Sequence, residues 1–185
     1  MTLCPLCGSE LVPQGNPFIN SKRTSSHDSI SRQNHQIEVV LDNLRSTLNV
    51  GSIFRTADGA GVNKIYCCGT TPTPEHPKIA KTSLGAEDFI PWQYCSNALD
   101  IVEIKKQQGF QIYSLEAADN AEPILTRPTV NEGSSVLLIV GNEVSGIDPS
   151  IMEISTRRLF IPMRGTKTSL NVAVAFGIAI YSLTN

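Results

Sequence analysis

The sequence has no long hydrophobic run, which argues against a membrane-spanning helix. Its longest apolar stretch, Val172–Tyr181, is well short of the ~20 residues that such a helix needs. No apolar segment follows Met1, so a secretory signal peptide is not predicted. The five cysteines are an odd number and are widely scattered, which argues against a disulfide scaffold and for reduced thiols. We therefore expect a cytoplasmic protein.

The sequence also has little net charge. With 15 Lys and Arg against 17 Asp and Glu, the net charge of -2 does not by itself support nucleic-acid binding. A basic face can still form if folding brings dispersed cations together. The candidates are Arg45, Arg55, Arg157, Arg158, Arg164 and Lys167. The alternative is an ordinary solvated surface of mixed charge.

Residues 1–36 lack the hydrophobic periodicity of the rest of the chain. They are rich in Ser and Asn and contain three prolines, so we predict an irregular N-terminal extension. Apolar and β-branched runs begin at about residue 36, and residues 37–185 are predicted to form one domain. With 41% hydrophobic residues overall, the chain has enough apolar material for a core.

Cys4 and Cys7 within the extension form a Cys-x-x-Cys pair that looks like half of a zinc ribbon. A tetrahedral zinc site needs four ligands, and no second Cys-x-x-Cys follows. The spacing between His27 and His35 is wider than the usual three to five residues between paired histidine ligands. We therefore predict no metal site and favour a free cysteine pair, with a partial zinc knuckle as the alternative.

Short β-branched or apolar runs alternate with helical patterns after residue 36. The predicted strands are 37–41, 64–68, 110–115, 135–140 and 159–162, and the predicted helices are 49–61, 97–109 and 169–182. Asn49 is the predicted N-cap and Gly61 the predicted end of the first helix. This alternation predicts an α/β fold, a mostly parallel sheet with helices on both faces.

Ligands of parallel α/β sheets bind beyond the carboxyl ends of the strands, so the loops after Leu115, Val140 and Pro162 are candidates. The loop Gly141-Asn-Glu-Val-Ser-Gly146 is not a phosphate-binding P-loop, because Ile147 and Asp148 follow where Lys and Ser or Thr are required. Its glutamate suits a cationic or hydroxyl-bearing ligand instead. An ordinary connecting loop is the alternative.

Two further segments concentrate polar residues. Ile161-Pro-Met-Arg-Gly165 ends a strand, and Ser169 and Asn171 stand at the start of an apolar helix, where they either cap the helix or cradle a polar ligand. In the first helix, Asn49 and Arg55 are six residues apart, which does not place them on one face.

Together these three segments resemble the SpoU (TrmH-like) branch of the SPOUT superfamily, the RNA ribose 2'-O-methyltransferases. The resemblance covers about residues 37–185, in the family's order and at its spacing. Its motifs match Asn49–Gly61, Leu138–Gly146 and Ile161–Ala175. A single motif of this kind would be weak evidence for the family, but three motifs in the family's order are specific evidence.

The resemblance implies a C-terminal trefoil knot, a homodimer, S-adenosylmethionine as cofactor, and methylation of a ribose 2'-hydroxyl in tRNA or rRNA. The implied catalytic residues are Asn49, Arg55, Glu143, Ser169 and Asn171. The implied cofactor contacts are Leu115, Gly141, Ile161 and Leu170, and the candidate RNA contacts are Arg45, Arg164 and Lys167. The alternative is an RNA-binding homologue without catalytic activity.

The chemistry of arginine limits what Arg55 can do in such a reaction. An arginine side chain stays protonated in proteins and is therefore a poor general base. We expect Arg55 to bind the phosphate next to the target nucleotide and to polarise the hydroxyl. The proton then leaves to phosphate or water.

Overall fold

In the part of the chain that the structure describes, seven short strands form one sheet in which every pairing is parallel. This computed structural model describes residues 35–126, 130–131 and 133–184. The strands are β1 (Gln36–Asp42), β2 (Lys64–Cys68), β3 (Trp92–Cys95), β4 (Gln111–Leu115), β5 (Glu122–Pro123), β6 (Ser135–Val140) and β7 (Arg157–Phe160). Their order across the sheet is β3-β2-β1-β6-β4-β7-β5. The predicted α/β class with a mostly parallel sheet is confirmed.

Five helices complete the described part of the chain, together with a short 3₁₀ turn at Ala86–Asp88. They are α1 (Thr47–Ala60), α2 (Ala80–Ser83), α3 (Ala98–Gln107), α4 (Pro149–Ile154) and α5 (Val172–Leu183). None of them combines the length and the hydrophobicity required to span a bilayer.

The helices cover both faces of the sheet, because successive side chains of a buried strand point in opposite directions. In β1, Val39 and Leu41 face a core that contains buried residues of α1 and α5. Val40 between them faces a second core formed with α3 and α4. The central strand β6 is therefore almost wholly apolar, whereas β1 also buries the carboxylates of Glu38 and Asp42.

The boundaries of two predicted helices are wrong in instructive ways. Asn49 is not the N-cap of α1. Ser46 is in an extended conformation and its hydroxyl accepts a hydrogen bond from the Asn49 N–H, so the helix starts two residues earlier. Helix α5 begins at Val172, not at Ser169, because Asn171 is its cap. This frees the Asn49 side chain for other partners and leaves Ser169 in a loop.

Four elements were not predicted, namely β3, β5, α2 and α4. Strand β3 lies at the edge of the sheet and is half-exposed, so it lacks the apolar run of the central strands. Helix α4 does carry a signal in the sequence: Asp148 caps it and Pro149 occupies its first turn.

The predicted extension 1–36 lies outside the described residues except for its last two, so Cys4, Cys7 and His27 are not described. The three remaining cysteines, Cys67, Cys68 and Cys95, are free. Burial raises the pKa of the Cys67 thiol to about 12, with a smaller contribution from Cys95.

Candidate active site

The loops that follow β4, β6 and β7 surround one cavity at the carboxyl ends of these strands. Its volume is about 400 Å³, within the ~300–1,000 Å³ typical of small-molecule sites. The predicted cofactor contacts Leu115, Gly141, Ile161 and Leu170 all line it. The predicted catalytic residues Glu143, Ser169 and Asn171 line it as well. The topology thus brings together segments that are far apart in sequence.

The loop 141–146 is a tight turn closed by its own backbone. Asn142 and Gly146 exchange two hydrogen bonds of 3.0 Å, each N–H donating to the other residue's carbonyl. Gly141 is packed so closely that an added Cβ would lie 2.5 Å from the backbone of Gly146 and Ile147. Gly146 has a φ of 75°, which favours glycine. The two glycines are therefore required by the shape of the loop itself.

Three polar side chains, one from each motif, form a continuous hydrogen-bonded chain beside the cavity. Asn171 Nδ2 donates to Asn49 Oδ1 at 3.1 Å, and Asn49 Nδ2 donates to Glu143 Oε1 at 2.9 Å. The second carboxylate oxygen of Glu143 accepts the backbone N–H of Arg45 at 3.1 Å. Sequence spacing predicted none of these contacts, because the three residues lie on α1, on the 141–146 loop and at the start of α5.

The orientation of this chain is fixed at the N-terminus of α5. Asn171 Oδ1 accepts the backbone N–H groups of Ala173 and Val174, at 2.9 and 3.4 Å, which are otherwise unpaired at a helix start. Its amide nitrogen is therefore the atom that faces Asn49. The Asn49 amide must in turn present its oxygen to Asn171 and its nitrogen to Glu143.

These contacts act on the charge of Glu143. Partial burial of the carboxylate tends to raise its pKa, but the hydrogen bonds from Asn49, from the loop backbone and from the Arg45 N–H outweigh this effect. The net result is a pKa below the ordinary value of 4.5. Glu143 is thus held as an anion at the rim of the cavity.

The predicted basic residues do not belong to this network. Arg55 is exposed, lies outside the cavity wall and makes no hydrogen bond or ion pair with any residue that the structure describes. The side chains of Arg45, Arg164 and Lys167 are also exposed.

Two other cations, considered for a basic face, are engaged within the protein. Arg157 pairs with the carboxylate of Glu122, and Arg158 donates to the carbonyl of Met152 at 3.0 Å. Arg157 and Arg158 are therefore not candidates for the basic face.

Glu116 and Asn142 are among the cavity residues that the sequence analysis did not single out. Glu116 directly follows β4, and its carboxylate lies against Gly146. Asn142 lies within the 141–146 loop and forms part of the cavity wall. A signal for Glu116 was present, since it is the first charged residue after a predicted strand end. Asn142 stands inside the recognised motif.

A family model for the SpoU rRNA methylase family matches residues 36–181 of the chain. The chain belongs to this family. In sequence it is 32% identical over 145 residues to the 23S rRNA (guanosine(2553)-2'-O)-methyltransferase RlmP of Bacillus subtilis, a match that covers 78% of the chain and 56% of that protein. It is 31% identical over 156 residues to the tRNA (guanosine(18)-2'-O)-methyltransferase of Aquifex aeolicus, covering 82% of the chain and 70% of that enzyme.

Solved structures of this family share the fold. The crystal structure of an AdoMet-bound rRNA methyltransferase from Sinorhizobium meliloti matches with a TM-score of 0.72 at 28% identity, over 80% of the chain and 55% of that protein. The A. aeolicus TrmH/SpoU tRNA modifying enzyme matches with the same TM-score at 27% identity, over 82% of the chain and 76% of that protein. The chain thus spans little more than half the length of several of its relatives.

Proposed function

We propose that this protein is an S-adenosylmethionine-dependent RNA methyltransferase that modifies a ribose 2'-hydroxyl in tRNA or rRNA. The observation that carries this proposal is the hydrogen-bonded chain Asn171–Asn49–Glu143. It joins all three family motifs at the rim of one cavity. The activities named for the relatives from B. subtilis and A. aeolicus are of this kind.

The cavity wall fits the cofactor in its charge as well as in its size. Among the described residues that line it, Glu116 and Glu143 carry negative charge and no lysine or arginine is present. Leu115, Ile161 and Leu170 supply apolar surface for an aromatic ring, and the backbone of the 141–146 loop supplies polar groups. A sulfonium compound is cationic, so this wall suits it better than a phosphate-bearing nucleotide.

When bound, S-adenosylmethionine supplies an electrophilic methyl group on a positively charged sulfur. The residues of the chain have to place the ribose hydroxyl in line with this carbon and to assist the departure of its proton. We assign Asn49 and Asn171 to the orientation of the acceptor, because their amides stand side by side in fixed orientations. Ser169 and Leu170, which precede Asn171 in the same loop, contribute to the cavity wall.

The geometry changes the role that we assign to Glu143. Both of its carboxylate oxygens already accept hydrogen bonds from the protein, one from Asn49 and one from Arg45. Glu143 therefore holds Asn49 in place in addition to providing a negative charge near the cofactor. It is not placed as a free general base.

We assign Arg55 to the RNA phosphate next to the target nucleotide. Its exposure and its lack of a partner among the described residues leave its guanidinium available to an incoming anion. Arg45, Arg164 and Lys167 are further candidates for phosphate contacts, because they too are exposed cations within or just before the motif segments. A catalytically inactive homologue is not favoured, since the expected polar residues are all present.

We also propose the knot and the dimer that the family resemblance implies. The path of the chain supports the knot. Strand β7 is separated from β1 by β4 and β6, yet the segment after β7 comes back across the sheet, so that Asn171 contacts Asn49 on α1. The exposed apolar side chains Leu48 and Val174, each more than half exposed, support a covering subunit. Sedimentation at micromolar concentration should show a dimer, and a monomer alone would contradict this part of the proposal.

We also propose the domain division and the location that the sequence predicts. The division into an extension of residues 1–36 and a methyltransferase domain of 37–185 is supported by the family match, which begins at residue 36. The cytoplasmic location stays a prediction.

The proposed activity can be tested by mapping ribose methylation in total RNA from cells with and without this gene. We expect one 2'-O-methyl mark, or a small set of marks, to be lost without the gene. Isothermal calorimetry should also show binding of S-adenosylmethionine to the purified chain. An unchanged methylation map together with no cofactor binding would contradict the proposal.

A further inference from the structure

We propose that Asn142 is a positioning residue that ties the 141–146 loop to the end of β1, so that Glu143 faces Asn49. The consequence for catalysis rests on the proposed function. The structural role does not, and it can be tested separately. Nothing in the motif pattern distinguishes Asn142 from its neighbours, whereas its contacts do.

The Asn142 side chain makes three hydrogen bonds, all within the protein. Its Nδ2 donates to the carbonyl of Asn43 at 2.6 Å, and its Oδ1 accepts the backbone N–H groups of Val144 and Ser145 at 2.8 and 3.1 Å. The oxygen therefore shapes the turn by holding the two residues that follow Glu143, while the nitrogen connects this turn to the residue that follows β1. These contacts show that Asn142 acts through the loop.

The anchor at the other end of the tie is itself held firmly. Asn43 has a φ of 55°, which is uncommon outside glycine. Its backbone N–H donates to the Cys68 carbonyl, its Nδ2 donates to Asp42 Oδ1 at 2.8 Å, and its Oδ1 accepts the Thr70 N–H at 3.0 Å. The direction of the Asn43 carbonyl is thus set by the ends of β1 and β2 and by Thr70, two residues after β2.

The far end of the same segment is fixed to the same place. The backbone N–H of Asp148 donates to Asp42 Oδ2 at 3.3 Å, and the Asp42 carboxylate is buried. The dipeptide Asp42–Asn43 therefore holds the segment on both sides, through Asn142 before the turn and through Asp148 after it. Glu143 is exposed at the tip between these two attachments, and its direction depends on them.

The test compares three variants. Asn142→Ala removes all three side-chain contacts. Asn142→Ser keeps a hydroxyl that can accept the N–H groups of the turn but is too short to reach Asn43. Asn63→Ala is the matched control, because Asn63 Oδ1 accepts the Ile37 N–H at 2.8 Å and so forms a comparable amide contact at the opposite end of β1.

The first measurement is the pKa of the Glu143 carboxyl, obtained by NMR titration of protein with isotope-labelled glutamate. We expect a value below 4.5 in the wild type and in Asn63→Ala. Both Asn142 variants should raise it towards 4.5, because Glu143 loses its alignment with Asn49. A wild-type value in a folded Asn142→Ala or Asn142→Ser protein would overturn the proposal. If Asn142→Ala does not fold, Asn142→Ser decides the question.

The second measurement is methyl transfer from S-adenosylmethionine to total RNA of cells that lack this gene. We expect kcat to fall by roughly 10–10²-fold in both Asn142 variants, because small displacements of positioning groups have effects of this size. The affinity for S-adenosylmethionine should stay within a few-fold. A shifted Glu143 pKa with unchanged kcat would overturn the catalytic part. No transfer by the wild type would overturn the proposed function, while the titration would still decide the role of Asn142.

Discussion

Glu143 is the charged residue at the centre of the polar chain, and both of its carboxylate oxygens are used by the protein. One accepts the Asn49 amide and the other accepts the Arg45 backbone N–H. A carboxylate can accept at both positions, whereas an amide can accept at only one. Although Glu143 is exposed, its two hydrogen bonds therefore require a carboxylate at this position.

We predict that Glu143→Gln lowers kcat for methyl transfer by roughly 10²–10³-fold, the range for loss of a preorganised polar group. A glutamine side chain necessarily places its NH₂ group against one of the two N–H donors, so Asn49 or Arg45 has to move. Glu153→Gln is the matched control, since Glu153 is an exposed carboxylate on α4 outside the cavity wall. Unchanged turnover in Glu143→Gln would show that this account of the residue is wrong.

The lowered pKa of Glu143 makes a prediction about stability and pH. A carboxyl whose pKa is lower in the folded state than in the unfolded state stabilises the fold above its ordinary pKa of 4.5. This contribution is lost as the pH falls through the folded-state value. The stability of the wild type relative to Glu143→Gln should thus be constant at higher pH and decrease below 4.5. Urea unfolding between about pH 7 and pH 3 measures it, and a difference independent of pH would contradict the assignment.

Residue types in the motifs pointed to two members of the hydrogen-bonded chain. Glu143 was identified by its place after the most apolar strand, and Asn171 by its place at a helix start. The role of Asn49 was not predictable in this way. Whether it caps α1 or reaches Glu143 depends on Ser46, which competes for the cap, and on a loop 94 residues further along the chain.

At the scale of elements, the 141–146 loop depends on glycine for a reason internal to the loop. Gly141→Ala places a Cβ 2.5 Å from the backbone of Gly146 and Ile147, so the turn has to open. We expect a loss of roughly 1–3 kcal/mol of stability, as in other overpacked sites, and a clear loss of cofactor affinity. Thermal melting and calorimetry with S-adenosylmethionine measure the two effects.

Gly165→Ala is the control for this prediction. A Cβ at Gly165 meets nothing within 4 Å, and the residue is exposed. Its effect on stability should stay within about 0.5 kcal/mol. Equal effects of the two substitutions would show that the close packing at Gly141 is not what restricts the loop.

Asn171 combines two roles at the start of α5, as helix cap and as hydrogen-bond donor to Asn49. Asn171→Ala should lower stability by about 1 kcal/mol, the usual effect of a lost cap, and should also lower methyl transfer at least tenfold. Asn97→Ala removes the cap of α3, where the side chain accepts the Leu99 N–H at 3.0 Å. It should cause a similar loss of stability with unchanged transfer. Equal methyl-transfer rates in the two variants would show that Asn171 acts only as a helix cap.

The elements differ in how far the sequence predicts them. Central strands such as β6 are apolar along almost their whole length, because both faces are covered, and their sequences are distinctive. Edge elements such as β3 are half-exposed and lack such a pattern. The predicted start of α5 is three residues too early because Ser169 and Asn171 can both cap a helix.

At the scale of the whole molecule, the order of the strands is what assembles the site. Strand β6 lies between β1 and β4, so the loops after β4, β6 and β7 meet at one end of the sheet. Sequence alternation predicts a parallel sheet but not this order, because several orders satisfy the same local patterns. The order follows from long-range packing.

In the proposed reaction the methyl group goes to a ribose 2'-hydroxyl, and an RNA that lacks this hydroxyl tests the assignment. Once the modified RNA is known, it is synthesised with a single 2'-deoxy nucleotide at the modified position, which leaves every base and phosphate in place. Because the exposed cations are assigned to phosphates, binding should fall only modestly. Methyl transfer from S-adenosylmethionine should vanish. Transfer that persists on the deoxy substrate would place the methyl group elsewhere and contradict the account.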